Sequence, residues 1–375
     1  MTTTINNEHN KHNAPNLRFP EFQGEWHSFL INEICSEFKS GKNIKADSIS
    51  ENGEYPVFGG NGLRGYTASY NHEGLYVLIG RQGALCGNVR SVNGKTYITE
   101  HAIAAAGNEK SNTSFLHYLF LKMNLGQYSD QSAQPGLAVN KLLKLEVSLP
   151  PISEQKKIAK LLSLLDEHIT TQNKIINKLQ SLIKGIVDCT ILRKEKNAIV
   201  GDVCSISEQI RAEANIDDII TVRLHGNGVC KSSAENLQLG ATQYYRRRAG
   251  QLIYGKQNFH NGAIGIVPIS LDNGITSKDI PSFDIDEMKC NSVYLLAQLQ
   301  SPQYYKPAEA LTTGTGSKRL KEETFLKMPI VLPNKREQDN IAVLIHRASM
   351  NLDHAKRLLE LLSIQKQFLL RQMFI

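Results

Sequence analysis

Taken at alternating steps of four and three from Ile158, the chain reads Ile158, Leu162, Leu165, Ile169, Gln172, Ile176, Leu179, Ile183 and Ile186, apolar at every step but Gln172. The same steps begun at Ile341 read Ile341, Ile345, Ala348, Leu352, Ala355, Leu359, Leu362, Lys366 and Leu369, with Lys366 the single polar break. An apolar residue every 3.5 positions, sustained over several heptads, marks a long helix that packs against another helix. Two helices of about 40 residues follow, each roughly 60 Å long at 1.5 Å per residue. Helices of this length are unstable alone in water, and two apolar stripes of equal length most simply cover each other. A block of about 140 residues separates them. Antiparallel pairing would let that block fold at one end and the preceding block at the other, a dumbbell with a pseudo-two-fold axis. A lone polar seam residue fixes register in coiled coils, the role expected of Gln172. Lys366 is expected only to snorkel near a frayed C-terminal end.

The helix starts repeat as well. Leu143-Lys144 and Leu326-Lys327, Leu149-Pro150 and Leu332-Pro333, and Glu154-Gln155 and Glu337-Gln338 share the offset of the seams. Asn334 with Glu337 reads as an N-cap and its capping-box partner, and Pro151 fits the first turn of the earlier copy. The flanking blocks alternate as β-strands do and echo each other faintly. Ile31-Asn-Glu-Ile-Cys35 matches Val200-Gly-Asp-Val-Cys204, and each block later runs strand, Gly-basic-Gln, Gly-rich turn, strand. Short helices are expected near Ser114–Asn124 and Ser292–Leu299. The expected organisation is a disordered lead-in over 1–16, a first β-rich domain over 17–150, a helix over 151–195, a second β-rich domain over 196–333 and a helix over 334–375. The fold class is α+β.

Gly60-x-Gly62-x-x-Gly65 spells a dinucleotide-binding fingerprint, which has meaning only between a strand and a helix, with an acidic residue about 20 positions on. Tyr66-Thr-Ala-Ser-Tyr70 is a poor helix start, Leu75–Ile79 again reads as strand, and no Asp or Glu lies in 80–88. The stretch is expected to be a Gly-rich turn between strands.

The net charge of +7 is unevenly spread. Residues 17–150 carry 12 basic and 12 acidic groups and residues 196–333 carry 15 and 14, so the excess lies in the helices. Any nucleic-acid face must therefore come from local clustering. Six cysteines without a CxxC pair and no signal-like N-terminus suggest a cytoplasmic chain, and no apolar run approaches a membrane span. No HExxH, no GxSxG and no metal-ligand spacing occurs, and Gly314–Lys318 only loosely resembles a phosphate loop. Catalytic and metal residues are therefore not expected, and binding is.

Leu17-Arg-Phe-Pro-Glu-Phe-Gln-Gly-Glu-Trp26, Leu149-Pro-Pro-Ile-Ser-Glu-Gln155 and the weaker Leu332-Pro-Asn-Lys-Arg-Glu-Gln338, each of the last two leading into a long helix, resemble the specificity subunits of type I restriction-modification enzymes. The resemblance implies two target-recognition domains, each reading half of a split double-stranded DNA site, with two antiparallel helices as the ruler between them. It implies no catalysis and no cofactor in this chain. Two modification subunits carrying S-adenosylmethionine and two ATP- and Mg2+-dependent translocase-nuclease subunits are the implied partners. A coiled-coil scaffold that binds proteins without DNA is the alternative.

In the first domain Asn61 and Arg64 on the Gly-rich turn, with Arg81 and Gln82 on the next, are the expected DNA contacts, since Arg pairs in bidentate fashion with guanine and Asn or Gln with adenine. In the second, Lys256 and Gln257 are their counterparts, and Arg246, Arg247, Arg248, Lys318 and Arg319 are expected on phosphates.

Overall fold

The computed structural model describes residues 13–130, 136–232, 242–314 and 318–375. They form two compact units, one holding the chain up to Gln172 together with Leu358–Ile375, the other Asn173–Arg357. The long helices are Ile152–Val187 and Lys335–Gln372, and each contributes one end to each unit. Every seam position named above is buried or half-buried, Gln172 included. Of the expected lead-in, residues 1–12 lie outside the described residues. Asn13 is already held, its carbonyl and side chain both bonded to the Trp26 backbone at 2.6 Å.

The first unit is built on an antiparallel sheet in the order Cys35–Ser40, Ala102–Gly107, Tyr76–Gly80, Val89–Val92. Both faces are covered, which is why its inner strands read as continuous apolar runs. Val77, Ile79, Ile103 and Ala105 face the helix Thr113–Met123 through Phe115, Leu116 and Phe120, while Leu78, Ala102 and Ala104 face Ile98 of a second sheet. Ile158, Leu162 and Leu165 of the first long helix join the same core as Leu369, Met373 and Phe374 of the second, and Phe374 stacks on Phe115 at 5.1 Å. Lys366 does not snorkel to solvent. It pairs with Asp166 and lies 5.8 Å from the Tyr118 ring centre, because that seam position faces a carboxylate.

The second unit repeats the plan. Its main sheet runs Cys204–Ile206, Ser282–Ile285, Leu252–Tyr254, Ile264–Ile266, the same order of corresponding strands, with the helix Ser292–Leu299 in the place of Thr113–Met123. An aromatic cluster of Tyr254, Phe259, Phe283 and Phe325 fills the core, and Val187 and Ile191 meet Ile341 and Ile345 there. Its accessory strands differ: a three-stranded sheet and a two-stranded one replace the second four-stranded sheet of the first unit.

The repeated Glu-Gln at the helix starts has a structural cause. Gln155 Nε2 donates to the carbonyls of Pro150 and Lys110 at 2.8 and 2.9 Å, and its Oε1 accepts from Asn112 N–H at 2.8 Å. Gln338 does the same with Pro333, Lys289 and Asn291 at 2.8, 3.1 and 2.9 Å. Asn112 and Asn291 in turn cap their helices. Both glutamines are fully buried, and a buried amide must find such partners. Pro151 occupies the place of Asn334, as expected, one residue ahead of the first turn: its carbonyl accepts from the N–H groups of Glu154 and Gln155, as that of Asn334 does from Glu337 and Gln338. The Asn334 side chain adds the expected cap, accepting from Glu337 N–H at 3.0 Å.

Candidate nucleic-acid interface

Tyr55–Gly59 and Gly62–Thr67 are antiparallel strands joined by the two-residue turn Gly60-Asn61, with Gly59 opposite Gly62. A strand thus stands where a dinucleotide fold needs a helix. Val57 pairs with Gly65 and Phe58 with Leu63, which leaves Arg64 as the extra residue of a bulge. Bulges re-aim a side chain. Gly62 and Gly65 have φ of +109° and +144°, which glycine alone adopts freely. Gly60 is required for a different reason: a Cβ there would come 2.7 Å from the His101 carbonyl oxygen. The hairpin therefore lies directly against the turn after Tyr76–Gly80, and the two enclose an open cleft of about 350 Å³ lined by Asn61, Arg64, Gln82 and His101. Arg81 does not line it. Its N–H donates to His101 O and its carbonyl accepts from Leu137 N–H, both at 2.9 Å, and its side chain is half-buried.

The second unit has a cleft of about 200 Å³ at the corresponding turn, lined by Lys256, Gln257 and Asp279. Lys256 N–H donates to Asp279 O, and the Lys256 carbonyl accepts from Leu320 N–H, both at 2.9 Å, the pattern of Arg81. The charges are balanced here: Lys256 pairs with Glu322 at 2.6 Å and Arg319 with Asp279 at 3.3 Å. Lys318 lies 3.7 Å from Glu309 on the surface. Residues 315–317 of the loosely phosphate-loop-like stretch lie outside the described residues. Arg246 and Arg248 are exposed and stand apart from the cleft lining.

Arg247 corrects the expectation of a phosphate contact. It is fully buried, donating to Thr276 Oγ1 at 2.7 Å, Ser282 Oγ at 2.9 Å and Ile280 O at 3.0 Å. Burial lowers its pKa to about 10, which leaves the guanidinium charged at neutral pH. Its acceptors flank Asp279, so it braces the segment that carries the cleft's carboxylate. Exposed arginines and a buried one cannot be told apart in Arg246-Arg247-Arg248 from the sequence, since the strand ends at Arg246 and Arg247 turns inward just beyond it. His101 and Asp279 carry no signal of their own in the sequence. Both become visible only when the two Gly-basic-Gln turns are aligned through the strand each one faces.

Among the described residues no group of three His, Cys, Asp or Glu side chains could hold a metal ion, and no helix is long and apolar enough to cross a membrane.

The class defined by this geometry is a tandem duplication of one α+β unit, each copy offering a polar cleft at the same turn. Its relatives are specific. Residues 23–181 match the family described as type I restriction modification DNA specificity domain. The Escherichia coli type I restriction enzyme EcoprrI specificity subunit is 42% identical over 163 residues, 42% of this chain and 40% of that one. The type I restriction enzyme MjaVIII specificity subunit of Methanocaldococcus jannaschii is 22% identical over 260 residues, 60% of this chain and 61% of the relative. The matches therefore span less than two thirds of either curated relative. The type I restriction-modification system S subunit from M. genitalium superposes with a TM-score of 0.73 at 14% identity, covering 96% of this chain and 99% of that structure, and shares its fold. Part of this chain is thus similar in sequence to type I restriction-modification specificity subunits, a similarity its helix starts suggested.

Proposed function

We propose that this chain is the sequence-specific DNA-binding specificity subunit of a type I restriction-modification complex. The observation that carries this is the recurrence of a Gly-basic-Gln turn at the same place of a duplicated sheet, each turn opening on a cleft of different composition. Two such clefts suit two different half-sites, residues 17–150 and 196–333 being the recognition domains. Backbone charge need not be dense, because sequence is read by base edges and position by phosphate contacts. The heptad seams support an antiparallel coiled coil that joins the domains as a dumbbell and sets the unread gap between half-sites.

The long helices also support partner docking. Beside their seams they expose Leu164, Ile175 and Leu182 on the first and Leu344, Leu361, Ile364 and Phe368 on the second. Large apolar side chains grouped on a surface mark interaction sites. Two modification subunits supplying S-adenosylmethionine and methylation, and two restriction subunits supplying ATP- and Mg2+-dependent cleavage, are the partners this reading assigns, in the cytoplasm. Catalysis belongs to them and not to this chain.

The test is a methylation map of a host lacking adenine methylation that co-expresses this chain with its modification subunit. A split motif with a fixed gap is expected, and exchange of residues 17–150 should alter one half only. An assembled complex that leaves DNA unmodified would favour a protein scaffold without DNA binding.

A further inference from the structure

The turns after Tyr76–Gly80 and Leu252–Tyr254 each face one residue across the sheet. Gly80 pairs with Ala102, and Arg81 N–H donates to His101 O. Ile253 pairs with Ser282, and Lys256 N–H donates to Asp279 O. His101 and Asp279 are therefore the same position of the duplicated fold, and each lines its cleft. What they do there differs. His101 Nδ1 lies 3.0 Å from Gln82 Oε1, with Nε2 3.3 Å from Glu100 Oε1. Asp279 holds Arg319 instead, and the Gln257 amide has no hydrogen bond among the described residues.

A glutamine with both ends of its amide free offers the acceptor and donor that match adenine in the major groove, whereas guanine presents two acceptors there. We propose that His101 is a positioning residue that sets the base preference of the first cleft. With the ring proton on Nδ1, that N–H donates to Gln82 Oε1 and commits the oxygen to the protein. The Gln82 NH2 is then what the cleft offers a base, alongside the donors of Arg64 and Asn61. The first cleft selects guanine at the base that Gln82 meets. The second, where Asp279 holds Arg319 and Gln257 makes no hydrogen bond among the described residues, selects adenine. This assignment rests on the DNA-reading function proposed above.

The test compares methylation maps of the complex carrying wild-type chain, His101→Ala and His101→Asn. In His101→Ala one guanine of the first half-site should become tolerant of adenine, its discrimination falling roughly ten-fold, while the second half-site is unchanged. Asparagine places an amide nitrogen near the position of Nδ1 and should restore the wild-type preference. Because His101 acts through Gln82, adding His101→Ala to Gln82→Ala should change the motif no further. An unaltered first half-site in His101→Ala, or a further shift in the double variant, would overturn the assignment. A wild-type complex with no split motif would instead overturn the DNA-reading function, and this proposal with it.

Discussion

The two helix starts carry the same glutamine clamp and different ion pairs beside it. In the first unit Arg18 meets Glu154 through two parallel bonds of 2.7 Å, with the carboxylate fully buried and the arginine side chain 13% exposed, and a further bond runs from Arg18 to the Gly24 carbonyl. In the second, Lys194 meets Glu337 with both side chains about 40% exposed. The clamp is what the duplicated fold requires, since without it an N-capped helix and a long helix lose their junction. The ion pair is what each copy has been free to vary. Its value depends on burial: a surface pair contributes about 0–1 kcal/mol, whereas removing one member of a buried pair strands a charge and costs about 3–5 kcal/mol. Arg18→Met should therefore destabilise the chain by about 3 kcal/mol or more, and Lys194→Met by less than about 1 kcal/mol. Urea unfolding of the two variants checks this, and equal losses would mean that solvent reaches Glu154.

The same contrast explains what could be read from the residues. The seams and the repeated Glu-Gln were legible because helix periodicity and a constant offset survive in one dimension. The glycine stretch was legible as a turn because no helix could follow it. The use of Arg18 was not, since its partner lies 136 positions away and only the folded chain brings them together. Arg64 was legible as a turn cation, but the bulge that aims it was not, since register shifts leave no fixed signature in sequence. Arg247 looked like its two neighbours. Its burial comes from acceptors on Thr276, Ile280 and Ser282, about 30 positions away, which only the folded chain brings to it.

A second difference separates the short helices. Counting from their caps, Asn112 and Asn291, His117 of the first unit corresponds to Leu296 of the second. Burial, with a smaller contribution from Lys366 and against the pull of Asp166, lowers the His117 pKa from 6.5 to about 4, and its Nδ1 has no hydrogen-bond partner among the described residues. A histidine whose folded pKa is depressed is neutral in the native state while the unfolded chain takes up a proton. Its contribution is complete above pH 6.5 and is lost as pH falls towards about 4. The loss should reach at most ~3 kcal/mol over that window and fall on the first unit. His117→Leu, which copies the second unit, should flatten the pH dependence of its thermal unfolding. A wild-type chain equally stable across the window would show that the imidazole is solvated.

The smallest effect separates the clefts themselves. Arg64 is exposed at its bulge and lines the first cleft without an ion-pair partner among the described residues, whereas Lys256 of the second is already neutralised by Glu322. A free guanidinium can turn its whole fork to a base, and a bidentate contact is worth about 1–3 kcal/mol of discrimination. Arg64→Ala should accordingly relax one base position of the first half-site by about that amount. Lys256→Ala removes a cation that the protein has already paired and leaves Glu322 near the DNA, so it should weaken binding across all sequences and leave the motif intact. Competition binding with single-base-substituted duplexes distinguishes the two. If Arg64→Ala also weakened every duplex alike, Arg64 would be a phosphate contact, and base reading in the first cleft would fall to Asn61 and Gln82.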